Sequence, residues 1–257
     1  MRNAVEQNLE SIKQENKKDK ITAVFLQDHK VPRSMATATN LQGQRKRLLV
    51  AMAHGYTDPR GTTHGGTAII IPYDSIELKK GETLQQAITR VRKTITHRPD
   101  GRVVTLVTQI LGKSRKLVSA YAPVRGAGSE RADFFRQLTR KLTPNTFLGI
   151  DANCTPDPAL DKHNAPSTAS PNAVDRALRD MTATHNLVDV ARRSLGDERF
   201  YSSHHVVVGQ QEVLTRIDQI YAPDDAETMY IHAHCDDFFP HNRHRIELDH
   251  IAIEIRS

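Results

Sequence analysis

Carboxylates, an amide and an imidazole stand where apolar runs of this chain stop. "VFLQD" runs into Asp28, "FLGIDAN" into Asp151 and Asn153, "TRIDQIYAP" carries Asp218, and "LDHIAI" opens on Asp249 and His250. Carboxylate oxygens suit magnesium, which takes one or two of them together with waters and substrate phosphates. An imidazole beside a carboxylate suits proton transfer or the stabilisation of charge developing on a phosphoryl group. An Asp with an Asn close by can orient a water nucleophile. These are the parts of metal-assisted phosphodiester hydrolysis: metal, water activator and charge stabiliser. Each position also has a plainer reading. Asp and Asn end strands and build turns, and in a chain with 13 histidines a single His is ordinarily a surface or structural residue. The repetition at four apolar runs is what points to a site.

The elements that must position these groups are legible as alternating types. "ITAVFLQ" (Ile21–Gln27) is a short apolar strand, and "GGTAIIIP" (Gly65–Pro72) a second, opened by glycines and closed by proline. "VVTLVTQIL" (Val103–Leu111) and "KLVSAYAP" (Lys116–Pro123) form neighbouring antiparallel strands, the first entered through the turn "RPDGR". "TFLGI" delivers Asp151; "RFYSS" (Arg199–Ser203), "LTRIDQIYAP" (Leu214–Pro223) and "LDHIAIEI" (Leu248–Ile255) are strand-like. Helical spacing marks Val5–Lys18, the stretch around Leu84, Ile88 and Val91, and Glu130–Leu142, whose first turn is acidic and whose later turns are basic. Ser170–Pro171 starts a helix that runs through His185, after a long polar loop over residues 157–172. Strands, hairpins and helices mix throughout. That favours an α/β protein of two sheets packed together with helices outside, not a doubly wound parallel sheet.

The totals bound the function classes. The chain has 257 residues, 38% apolar and 26% charged, ordinary for a soluble globular protein. No apolar stretch approaches the ~20 residues needed to cross a bilayer, and the N-terminal residues lack a signal-peptide core, so an intracellular protein with no membrane partner is expected. Cys154 and Cys235 lie in no CxxC pair, which argues against a zinc site or a disulfide framework. A net charge of +6 suits a polyanionic partner such as DNA. With no tryptophan and 5% aromatics, contact with the nucleic-acid backbone is favoured over a broad base-stacking platform.

Six segments, in order along nearly the whole chain, resemble the motifs of the endonuclease/exonuclease/phosphatase superfamily. "FLQDHK" is similar to its "LQET", "GGTAIII" to "GGVAIL" and "SAYAP" to "VYAP". "GIDANCTPDPALD" is similar to "GDFN" and the following loop, "RIDQIYA" to "RIDYILV", and "LDHIAI" to "SDHxPV". The resemblance implies a four-layer DNase I-like sandwich, two mixed β-sheets packed face to face with helices outside, as one domain over residues 1–257. It implies a magnesium site, with manganese as a substitute, held by Asp28 and Asp249. Tyr121 would contact the scissile phosphate. Asp151 would activate the attacking water or protonate the leaving group, and Asn153 would orient phosphate and nucleophile. Asp218 would line the site, and His250 would stabilise the transition state. Two departures stand out. Asp28 takes the place of a Glu, one methylene longer. The family opens on a strand bearing an Asn, for which Asn3 stands in a shortened first strand.

"NCTPDPALD" followed by "NLVDVARRSLGDERFYSS" resembles the endonuclease domains of non-LTR retrotransposons, with Ala191 in place of a Trp and Ser202 in place of a Thr. This branch implies a DNA-nicking endonuclease that makes the target-site cut, a reverse transcriptase domain in the same polyprotein, and action in the nucleus. The basic "GQRKR" offers Lys46 and Arg47 as phosphate contacts, with Ser202 and Asn3 as further substrate-binding candidates. The alternatives are an AP-endonuclease-like repair nuclease or other phosphoesterase of the same fold, and a DNA-binding domain that has lost catalysis.

Overall fold

The computed structural model describes residues 9–10, 12–14, 16, 21–163, 168–205, 213–226, 229–232 and 253–256. Within them, two sheets stack face to face. The first runs in the order β14 (Met229–His232), β15 (Ile253–Arg256), β1 (Ile21–Gln27), β5 (Thr67–Pro72), β2 (Leu48–Ala53). The second is ordered β10 (Leu187–Asp189), β13 (Asp218–Pro223), β9 (Thr146–Asp151), β8 (Lys113–Tyr121), β7 (Val103–Ile110), β6 (Thr96–His97). Every described pairing in the first sheet is antiparallel. The second is mixed, because β8 and β9 run parallel. Parallel neighbours need a crossover, and the helix Gly128–Thr139 supplies it. Two small hairpins complete the strands, β3 (Tyr56–Thr57) with β4 (Thr63–His64) and β11 (Ser203–His205) with β12 (Val213–Thr215).

The apolar runs are nearly continuous because both faces of both sheets are covered. Ala23, Phe25, Leu49, Ala51, Ile69 and Ile71 point into the space between the sheets, against Leu106, Leu117, Phe147 and Ile220. Their sequence neighbours Val24, Val50 and Ile70 face outward and pack with Leu9 and Ile12, which lie in helix. On the other side, Val118, Ala120, Leu148 and Ile150 pack against Phe134, Phe135 and Leu138 of Gly128–Thr139 and against Val174, Leu178 and Met181 of the helix Ala173–Thr184. Helix, sheet, sheet, helix is the four-layer order expected.

Several boundaries differ from the sequence reading: the strand read from Lys116 starts at Lys113, and the helix read over Glu130–Leu142 spans Gly128–Thr139. The helix expected from Ser170–Pro171 begins at Ala173, where Asn172 caps it by accepting from the Val174 and Asp175 amides and Asp175 returns the bond to the Asn172 N–H. "RFYSS" enters a strand only at Ser203. "LTRIDQIYAP" is two strands, broken at Arg216 and Ile217. The strand "LLVAMA" (β2) was not singled out from sequence, because its short apolar run carries no turn signal of its own. Within the described residues, no helix is long and apolar enough to cross a membrane.

Candidate active site

One end of the sandwich gathers the C-terminal ends of β1, β2, β8 and β9 with the N-terminal ends of β5, β7 and β13. Strand register makes this so. Gln27 pairs with Thr67 and Ala53 also pairs with Thr67. Val103 pairs with Ala120, Tyr121 with Asp151, and Asp218 with Asp151. Side-chain bonds tie the two sheets together at this end. Gln27 Nε2 donates to Ser119 Oγ at 3.0 Å and to the Gly149 carbonyl at 3.3 Å, and Thr67 Oγ1 donates to the Gly101 carbonyl at 3.2 Å.

Asp28 leaves β1 in the left-handed region, φ 48°, which costs a non-glycine residue free energy and turns its carboxylate off the strand line. Its Oδ1 accepts from the Gly65 amide at 2.8 Å, and Lys30 Nζ lies 3.3 Å from Oδ2. Gly65 connects Asp28 to the second sheet, since a methyl built on it would lie 3.9 Å from Tyr121 Cδ1. The Arg102 guanidinium sits over the Tyr121 ring, 5.2 Å from its centroid, and donates to the Tyr121 carbonyl at 3.2 Å.

Asp151 is buried, and its Oδ1 accepts from the Asn153 amide at 3.0 Å. Asn153 also takes a left-handed backbone, φ 48°, and its Nδ2 donates to the Ala122 carbonyl at 2.9 Å. Arg131 holds the loops after β8 and β9 together. Its Nε donates to the Pro123 carbonyl at 3.2 Å and its Nη2 to the Asn153 carbonyl at 2.5 Å. Asp218 stands directly opposite Asp151 across the antiparallel ladder, so the two side chains leave the same face of the sheet, with Cβ atoms about 4.5–5.5 Å apart.

The structure therefore places Asp28, Tyr121, Asp151, Asn153 and Asp218 at one end of the sandwich. Ser202 is buried beneath them rather than facing solvent. Its Oγ accepts from the Ile217 amide at 3.1 Å and the Asp218 amide at 2.9 Å, which anchors the start of β13. Lys46 and Arg47 lie at the opposite end of the sheet. They precede β2, whose first residue pairs with Pro72, and the length of that strand, roughly 17 Å at the usual rise, separates them from the Asp28 end. There Lys46 pairs with Glu10, and Arg47 with Asp74 at 3.0 Å. Asn3, Asp249 and His250 fall outside the described residues.

Sequence reasoning passed over several groups that shape this end. His29 packs its ring against Gly66, where any Cβ would come within 2.4 Å of it. Its Nδ1 accepts from the Val31 amide at 3.0 Å. Burial, reinforced by the nearby His54, pushes its pKa down to about 4, so the ring beside Asp28 is neutral near neutral pH. Arg102 and Arg131 were also missed. The only sequence hint for Arg102 is its place after the Gly101 turn.

The oxygen donors Asp28, Asp151, Asn153 and Asp218 are hard ligands of the kind magnesium takes. Among the described residues, no three or more His, Cys, Asp or Glu side chains cluster closely enough to enclose an ion. One or two carboxylates plus waters and phosphates is a normal magnesium set, so these residues fit the ion by donor chemistry.

No family model matches the sequence. No curated protein matches it either. Solved structures do. An endonuclease/exonuclease/phosphatase family protein from Leptotrichia buccalis superposes with a TM-score of 0.54 over 98% of this chain and 92% of that one, at 12% identity. The chain has the endonuclease/exonuclease/phosphatase fold. TDP2 from D. rerio, complexed with a single-strand DNA product, superposes at a TM-score of 0.51 over 97% of this chain and 90% of that one, at 12% identity. The endonuclease domain of TRAS1, a telomere-specific non-LTR retrotransposon, aligns more loosely. Its TM-score is 0.49 at 13% identity, over 88% of this chain and 92% of that one, and it decides nothing about the branch.

Proposed function

We propose that this chain is a metal-dependent phosphodiesterase that nicks DNA, with magnesium as its ion. The observation that carries this reading is the convergence of Asp28, Tyr121, Asp151, Asn153 and Asp218, from strands of both sheets, on one end of an endonuclease/exonuclease/phosphatase fold. The net charge of +6 and the DNA product held by D. rerio TDP2 on the same fold support DNA as the substrate. The finer reading is a retrotransposon-type endonuclease, with a reverse transcriptase domain in the same polyprotein and a nuclear site of action. It rests on the "NC…LD…LVDV…YSS" resemblance.

Each residue has a role in this scheme. Asp151, buried and held by the Asn153 amide, accepts the proton of the water that attacks phosphorus. The Asn153 and Tyr121 side chains orient the phosphate, and Arg131 fixes the loop that carries Asn153. Asp218, across the ladder from Asp151, sets the charge around it. Asp28, with Asp249 by resemblance, would hold magnesium, which when bound neutralises phosphate charge. His250 would stabilise the transition state.

The test is conversion of supercoiled plasmid to open circle by purified protein, with magnesium, with manganese and with EDTA. Nicking that needs metal and falls at least about 100-fold in Asp151→Asn is the expected result. Nicking that persists in EDTA, or an Asp151→Asn protein as active as its parent, would overturn the proposal. Cleavage confined to abasic duplexes would move the assignment to a repair nuclease.

A further inference from the structure

Between the end of β2 and the start of β5, the chain leaves the sandwich and returns. His54 and Gly55 lead into β3, residues 58–62 form the tip, and β4 returns through Gly65 and Gly66 into β5. The base of this hairpin is the candidate active site itself, because the Gly65 amide that follows His64 is the donor to Asp28. The sandwich core has no use for the hairpin. Tyr56, Thr57, Pro59, Arg60, Gly61, Thr62 and His64 are all exposed, and Tyr56 keeps 58% of its surface in water.

The hairpin is nevertheless tightly ordered by its own polar groups. Asp58 Oδ1 accepts from the Arg60 and Thr62 amides, each at 2.9 Å, and Oδ2 lies 3.1 Å from His64 Nε2. The Thr57 and Thr63 hydroxyls bond at 3.1 Å, and the Asp58 amide donates to the Thr62 carbonyl at 2.9 Å. Gly61 closes the tip at φ 83°. The Tyr56 ring lies 5.4 Å from the His64 ring at an interplanar angle of 31°. Arg60 makes no ion pair with any described carboxylate. A rigid platform thus presents an aromatic face and a guanidinium to solvent, at the rim of a phosphate-type site. Preorganisation of this kind lowers the ordering cost of binding.

We propose that the hairpin Tyr56–His64 is a nucleic-acid-binding element: Tyr56, backed by His64, stacks on an unpaired base of the strand flanking the scissile phosphate, and Arg60 contacts a phosphate of that strand. The element deepens the phosphodiesterase reading and rests on it for the direction of the strand. The chemistry is that of a single aromatic stacking on any base face, with a cation for the backbone. It gives affinity for single-stranded segments without reading sequence.

The experiment is fluorescence anisotropy of a labelled single-stranded oligonucleotide with the full chain in EDTA, so that cleavage plays no part. In parallel, hydrolysis of bis(p-nitrophenyl) phosphate is followed with magnesium. Tyr56→Ala weakens oligonucleotide binding by about tenfold and Tyr56→Phe retains it. Arg60→Ala lowers the salt slope of binding by about one. Leu111→Ser, an exposed apolar side chain at the β7–β8 turn, changes nothing. Hydrolysis of the small diester is unchanged in all four variants. Binding by Tyr56→Ala within twofold of the parent, or a parent that does not bind the oligonucleotide, overturns the proposal. So does an equal loss of small-diester hydrolysis, which would make the hairpin part of the site's scaffold. A parent that binds in a Tyr56-dependent way but hydrolyses neither DNA nor the small diester would leave the hairpin standing and remove the phosphodiesterase reading.

Discussion

Removing the Asp161 carboxylate is the severest single change the structure points to. Asp161 is fully buried in the short helix Pro158–Asp161. Its Oδ1 accepts from Arg216 Nε at 2.7 Å and from Arg192 Nη2 at 2.6 Å, and its Oδ2 from Arg216 Nη2 at 3.2 Å and the Asp157 amide at 2.9 Å. Arg216 itself is 1% exposed. Its Nη1 lies 2.8 Å from Asp189 Oδ2, an ion contact without hydrogen-bond alignment. Burial works against the Arg216 charge, but Asp189 and Asp161 outweigh it and hold the guanidinium pKa above its usual value. In Asp161→Ala, two arginines lose their aligned acceptor while one stays out of water. Breaking a buried pair in this way costs about 3–5 kcal/mol, a large share of the ~5–15 kcal/mol that holds a typical domain together. The melting temperature should fall by roughly 6–20 °C. Urea melts of the parent, Asp161→Ala, Arg216→Met and Asp161→Ala/Arg216→Met at constant slope give the comparison. The double variant should recover part of the loss, since it removes the fully buried guanidinium that the single variant leaves without its aligned acceptor. A single variant within about 1 kcal/mol of the parent, or a double variant that loses the sum of both singles, would refute the reasoning.

Two further outcomes follow from named contacts. A Cβ on Gly149 would lie 2.4 Å from both Phe25 Cβ and Cγ, and no side-chain rotation moves the Cβ, so Gly149→Ala should cost about 1–3 kcal/mol in the same melts, whereas a neutral change would mean the sheets can separate. Glu82, bonded by Arg90 and the Lys79 amide, has its pKa lowered from 4.5 to about 2. Because the folded pKa lies below the ordinary one, the contact's stabilisation is present above about 4.5 and is lost as pH falls toward 2. An NMR titration of the Glu82 carboxyl carbon should therefore show a midpoint near 2 that returns toward the ordinary range in Arg90→Ala.

Much of the fold was legible in the sequence. β1 runs over the residues read as "ITAVFLQ", β9 ends on Asp151 as read, and the spacing of Leu84, Ile88 and Val91 marks the helix Leu84–Arg92. Asp28, Asp151, Asn153 and Asp218 stand out in the sequence because they lie where apolar runs stop, and Tyr121 only through the family resemblance; strand register puts all five at one end of the sandwich. Lys46 and Arg47 were expected at the substrate because the family resemblance places the segment between the first two strand motifs there. Their place at the far end of β2, each beside a carboxylate, follows from strand direction, which charge does not encode. Ser202 was expected to face substrate, and it bonds the backbone at Asp218 instead. A hydroxyl serves either task equally well.

The sequence by itself determined where apolar runs lie, where they stop and which side chains stand at the stops. These are local properties, set by the period of burial and by the turn chemistry of Asp, Asn, Gly and Pro. Only the tertiary structure decided which stops share an end of the sandwich. That depends on register and strand direction, which set Tyr121 and Asp218 on either side of Asp151. The same holds for charge. Asp161 and Arg216 are 55 residues apart in sequence and 2.7 Å apart in space. Whether an arginine holds a phosphate, a carboxylate or water depends on distance and burial, and the fold sets both.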